Sequence, residues 1–148
     1  IELMENANRA FVSSQQPVYG PYLKSLLDDK NIPSVAHRTG GKDRAGFGAA
    51  IILLALGVPE ETVINDFMLT NVYTEDKINK YIWMIRLGSL FRTDPEKIRP
   101  LLGVERSFIL AALHQMKTQY GSIDNYFRQG LGLSDDELLR LREKFLEG

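Results

Sequence analysis

Apolar residues recur at helical spacing along most of the chain, and their intervals predict seven or eight helices and one strand. Residues 2–12 form the first predicted helix. The set Tyr22, Leu23, Leu26 and Leu27 predicts a second over residues 19–30, with Pro21 suited to its first turn and a turn-prone stretch, Ser13 to Pro17, ahead of it. Asn31-Ile32-Pro33-Ser34-Val35-Ala36-His37 is the one short β-compatible segment. It predicts a strand over residues 32–37 feeding a glycine- and charge-rich loop over residues 38–46. From Phe47 to Leu56 the chain is almost wholly apolar, as in a buried helix, and Gly57 is placed to stop it in a left-handed conformation.

Pro59-Glu60-Glu61 restarts a helix with acids in its first turn and Val63, Ile64, Phe67 and Met68 on one face. Beyond Asn71 a separate helix is expected from about Thr74 to Phe91. Its apolar face around Trp83 reads as core, because residues 74–86 lack the basic amphipathic pattern of a membrane-surface helix. Helices follow over Pro95–Leu102, Glu105–Tyr120 and Ile123–Gln129, and Ser134-Asp135-Asp136-Glu137 is a capping box opening the last one, to about Glu147. A lone strand leaves backbone N–H and C=O groups to be paired, so the pattern calls for strands that this chain does not supply.

Composition narrows the function. With 148 residues, 44% of them hydrophobic and 25% charged, the chain fits one modest core and not two. A net charge of -1 gives no global attraction to nucleic acid or an anionic membrane, so any bound anion must be held locally. There is no cysteine, which removes disulfides, thiolate metal sites and a thiolate nucleophile together. The two histidines, His37 and His114, have no metal-ligand spacing.

The loop His37-Arg38-Thr39-Gly40-Gly41-Lys42-Asp43-Arg44-Ala45-Gly46 carries the candidate chemistry. By composition it reads as either a solvated turn or an anion site. Its place before an apolar helix, where backbone N–H groups and the helix dipole converge, favours the anion site. Arg44 offers a planar fork of donors to phosphate oxygens and Lys42 a mobile point charge. Asp43, where a nucleotide-binding loop would have Ser or Thr, argues against kinase-like nucleotide binding.

This loop, the following Leu56-Gly57-Val58, the segment Asp66-Phe67-Met68-Leu69-Thr70-Asn71, and Tyr120 to Leu133 together resemble the bacterial atypical tyrosine-protein phosphatase family. The resemblance covers nearly the whole chain. It implies an α/β fold, a central sheet flanked by helices, of which residues 1–148 would be a single partial domain holding mainly the helical C-terminal half and one strand. The N-terminal strands would be absent or supplied by a swapped protomer. It also implies a phosphomonoester hydrolase acting on a phosphorylated protein or a phosphoinositide, without cofactor or metal and without nucleic acid. In family terms Arg44 is the phosphate clamp, Asp43 the general acid, and Thr39, Gly40, Gly41 and Lys42 further phosphate contacts. His37 and Asp66 are supporting residues, although His37 reads equally as a structural histidine and Asp66 as a cap. The family's cysteine nucleophile aligns with Arg38. A guanidinium stays protonated and cannot attack phosphorus, so this copy is expected to be impaired, or to bind phosphate without turnover as a pseudophosphatase. Localisation stays open between cytoplasm and a secreted effector.

Overall fold

The structure, a computed structural model, describes residues 1–35 and 42–146. In chain order the helices are α1 (Glu2–Ser14), α2 (Gln16–Ser25), α3 (Lys42–Ala55), α4 (Glu60–Gly88), α5 (Pro95–Leu102), α6 (Arg106–Tyr120), α7 (Ile123–Asn125) and α8 (Asp135–Phe145). A 3-10 turn, Asp29–Asn31, follows α2, and α7 runs on as a π-helical turn, Tyr126–Gly130, with Leu131 N–H donating to the Tyr126 carbonyl.

The expected α/β architecture is not what the chain forms. Among the described residues there is no strand and no sheet; the protein is helical. Ile32 has extended backbone, φ -122° and ψ 132°, but its N–H closes the preceding turn on the Asp29 carbonyl, no strand lies beside it among the described residues, and Val35 stands exposed to solvent. Extended dihedrals are a local preference, whereas a strand requires a neighbour for its N–H and C=O groups. The rest of the predicted strand, Ala36 and His37, lies outside the described residues.

One core joins the helices. Phe47, at the middle of α3, is fully buried between Phe11 of α1 and Tyr19 of α2, with ring centroids 5.5 and 4.8 Å away. Phe108, Ile109, Ala112 and Met116 carry α6 into the same core, and Tyr126, Phe127, Leu133 and Leu141 close it from the C-terminal segment. Arg142 of α8 donates from Nε to the Ala55 carbonyl at 2.9 Å. That puts a cation on the open carbonyl end of α3, where the dipole favours it. Gly57 then turns the chain at φ 86°, as its sequence position predicted.

Two boundaries moved for physical reasons. The second helix begins at Gln16 with Pro17 in its first turn, so Pro21 lies inside it. Helix α3 already includes Lys42–Gly46, expected in the loop, and within it Gly46 serves packing: a Cβ there would lie 2.8 Å from the Phe67 ring. The absent side chain lets α3 and α4 approach.

The two helices expected on either side of Asn71 are instead one of 29 residues, α4. Residues 60–87 contain neither Gly nor Pro, and the polar Asn71 that suggested a break turns its amide to another segment. The distal half of α4 also corrects the core assignment. Only Ile78 and Ile82 are buried there, while Trp83 is 61% exposed, and Tyr81, Ile85, Leu87 and Phe91 are exposed as well.

Candidate active site

His37, Arg38, Thr39, Gly40 and Gly41 lie outside the described residues. The described part of the candidate site is the first turn of α3, Lys42-Asp43-Arg44, with Asp66 on α4.

The helical start separates the roles of three consecutive residues. Lys42 points into the protein: its Nζ donates to the Gly103 carbonyl, just beyond α5, and lies 3.4 Å from Asp43 Oδ2. The Lys42 and Asp43 side chains are only 19% and 13% exposed. Asp43 Oδ1 is buried and accepts no hydrogen bond among the described residues. A shielded carboxylate oxygen of this kind can accept a donor, and as an acid in the first turn it sits at the favourable end of the helix dipole. Arg44 points outward, exposed, and its guanidinium has no partner among the described residues. Its backbone is fixed, since the Tyr19 hydroxyl donates to the Arg44 carbonyl at 3.2 Å. The turn thus presents one free, planar, permanently charged donor fork beside a tethered Lys–Asp pair.

Asp66 is not brought to this pair by any hydrogen bond or ion pair among the described residues, and its side chain is exposed. Its neighbour Phe67 is the element that reaches α3, through Gly46.

The pattern of residues missed a junction behind the turn. Asn71 Nδ2 donates to the Val104 carbonyl at 2.7 Å, and Val104 N–H donates to Asn71 Oδ1 at 2.8 Å. A side-chain amide here imitates a backbone pairing and holds the Gly103–Val104 turn to the middle of α4. Gly103 is required by the close approach, since a Cβ would lie 2.8 Å from Asn71 Oδ1. Because Lys42 donates to the same turn, α3, α4 and the start of α6 are locked at one point. A cleft of 530 Å³ opens beside it, with Asn71, Glu75, Ile78, Arg99 and Arg106 among its walls. The available signal was a polar amide inside an otherwise amphipathic helix, at the end of the Asp66–Asn71 segment.

Among the described residues no three His, Cys, Asp or Glu side chains gather closely enough to hold a metal ion. None of the described helices is long and apolar enough to cross a membrane.

In sequence, a glycine-rich stretch precedes the helix whose first turn displays Arg44. A sequence model of the tyrosine phosphatase family matches residues 1–147, and the chain belongs to that family. It is 32% identical over 112 residues to a Cupriavidus necator protein that bears the name of a tyrosine-protein phosphatase, covering 76% of this chain and 39% of that one. It is 27% identical over 118 residues to the triple specificity protein phosphatase PtpB of Mycobacterium tuberculosis, covering 74% and 42%. A tyrosine-protein phosphatase of Nostoc commune is 24% identical over 139 residues, covering 89% and 45%. The chain therefore spans about two-fifths of the length of these relatives.

Proposed function

We propose that this chain is the phosphate-binding part of a tyrosine phosphatase-like phosphomonoester hydrolase, with Thr39, Gly40, Gly41, Lys42 and Arg44 holding the phosphoryl group and its turnover impaired at Arg38. The observation that carries this reading is Arg44: exposed, unpartnered among the described residues, and backbone-anchored in the first turn of a 14-residue helix. Such a guanidinium binds two phosphate oxygens at once, while the amides of Thr39, Gly40 and Gly41 and the helix dipole add to the field. Asp43 is the proton carrier of the site. Lys42 also holds the turn against Gly103, and His37 and Asp66 support the loop. The substrate class is phosphotyrosine in protein, extended to phosphoinositide; the triple specificity of the mycobacterial relative supports a range wider than one phosphoamino acid. Given the span relative to its relatives, we read the chain as a single partial domain of a longer phosphatase.

Hydrolysis in this class requires a nucleophile that attacks phosphorus as the alcohol leaves with a proton. Arg38 has no free lone pair at any ordinary pH, and with no cysteine in the chain no thiolate can replace it. This same observation favours a second reading, a non-catalytic phosphate-recognition protein. Restoration separates the two. Arg38→Cys, placed in the longest natural polypeptide carrying this sequence, is expected to gain turnover of a phosphotyrosine surrogate, and Arg44→Ala to abolish it. If Arg38→Cys stays inactive while phosphopeptide binding persists and is lost in Arg44→Ala, the recognition reading holds. Turnover by the unaltered chain would refute the impairment.

A further inference from the structure

The exposed back of α4 carries a self-complementary pattern. Leu69, Tyr73, Asp76, Lys80, Trp83 and Leu87 follow one another at intervals of 4, 3, 4, 3 and 4 residues. At about 100° per residue they occupy an arc of roughly 80°, diametrically opposite Ile78 and Ile82, which face the core. All six are exposed, Tyr73 at 81% and Trp83 at 61%. A sustained 3–4 spacing on a face away from the core is the seam of a helix pair, not of a core helix.

The order of residues along that seam reads the same from both ends. Turning α4 about a two-fold axis through Ile78 brings Leu69 of one copy opposite Leu87 of the other, Tyr73 opposite Trp83 and Asp76 opposite Lys80, each contact occurring twice. Val72 and Met84, both exposed at the edge of the seam, also fall opposite each other. The charged pair decides the direction. Neither Asp76 nor Lys80 has an ion-pair partner among the described residues. An antiparallel pair matches acid with base twice, whereas a parallel pair would set Asp76 on Asp76 and Lys80 on Lys80.

We propose that α4 is an isologous dimerisation helix, pairing antiparallel with α4 of a second copy of this chain through the Leu69–Leu87 seam. A two-fold interface must be self-complementary, and this one is so in shape class and in charge. It spans about 27 Å of one helix, so the dimer is small and its formation depends on concentration.

Sedimentation velocity over a wide concentration range is expected to show a monomer–dimer equilibrium. The emission of Trp83, the single tryptophan of the chain, shifts blue as the dimer forms and red on dilution. Asp76→Lys and Lys80→Asp should each weaken association by at least roughly tenfold, because each replaces two attractive contacts by two repulsive ones. Both positions are exposed, so helicity by circular dichroism is unchanged. The double swap, Asp76→Lys with Lys80→Asp, restores the dimer, and the two single variants mixed together form a heterodimer. A chain that is monomeric at every concentration overturns the proposal, including one whose Trp83 face instead adsorbs to anionic vesicles. So does a dimer that the single charge variants leave intact, or a double swap as weak as the singles.

Discussion

Tyr126 shows how one side chain can serve the core and burden it at once. Its ring is fully buried between Tyr120 and Phe127, yet its hydroxyl has no hydrogen-bond partner among the described residues. Burial pushes that hydroxyl well above its ordinary value of 10.0, since the phenolate would be the costlier form to enclose. A raised folded-state pKa stabilises the fold fully below pH 10, and that contribution is lost as pH rises beyond it, because the unfolded chain releases its proton first. Tyr126→Phe removes an unsatisfied buried group without opening a cavity. Its urea midpoint at neutral pH is expected to equal or exceed that of the parent, and its alkaline unfolding, followed by circular dichroism above pH 10, to be shallower. A parent and variant with identical alkaline transitions would contradict the burial argument.

At the scale of the element, α4 ends under strain. Phe91 N–H donates to the Arg86 carbonyl at 2.7 Å, closing the helix with a left-handed residue between, and that residue is Leu90 with φ 52°. Glycine ordinarily fills this position because a Cβ is penalised there. Phe91 follows at φ 61°, under the Arg86 guanidinium 5.4 Å from its ring centroid. The Leu90 side chain is 76% exposed and contributes little packing in exchange. Leu90→Gly should therefore raise stability by about 0.5–1 kcal/mol, measured as a higher urea midpoint with unchanged slope. Loss of stability would mean that the Leu90 side chain matters more than its backbone. The last helix shows the opposite case, where chemistry and conformation agree: Ser134 and Glu137 exchange hydrogen bonds in a complete capping box, as the residues predicted.

Across the whole molecule, Asn71 and Lys42 converge on one turn from positions 33 and 61 residues away. The Gly103–Val104 turn couples the helix of the candidate site to the helix that carries the exposed seam. Val104 is buried, so Asn71→Ala would leave its N–H and C=O without partners. We expect a loss of about 1–3 kcal/mol in denaturant unfolding, together with faster proteolysis of the 103–106 segment. A neutral substitution would show that the turn holds itself.

Neighbouring residues alone set most of the helices and the residue types of the loop. Helical periodicity, the capping box, the left-handed Gly57 and the Lys42-Asp43-Arg44 motif are properties of neighbouring residues, set by backbone geometry and side-chain type. The absence of cysteine, and with it the question posed by Arg38, is equally a fact of composition. Burial and pairing were decided elsewhere. Residues 32–35 prefer extended backbone but gain no strand, since pairing needs a second segment. Gly46, which its neighbours in sequence place in a loop, packs inside a helix against Phe67, and the Lys42 side chain, expected only at the loop, also reaches the Gly103 carbonyl 61 residues away. Trp83 read as core because an apolar stripe does not say which of two faces its helix will turn inward. Only the tertiary structure could choose, because the energy of burying a side chain depends on the surface that meets it and not on the sequence around it.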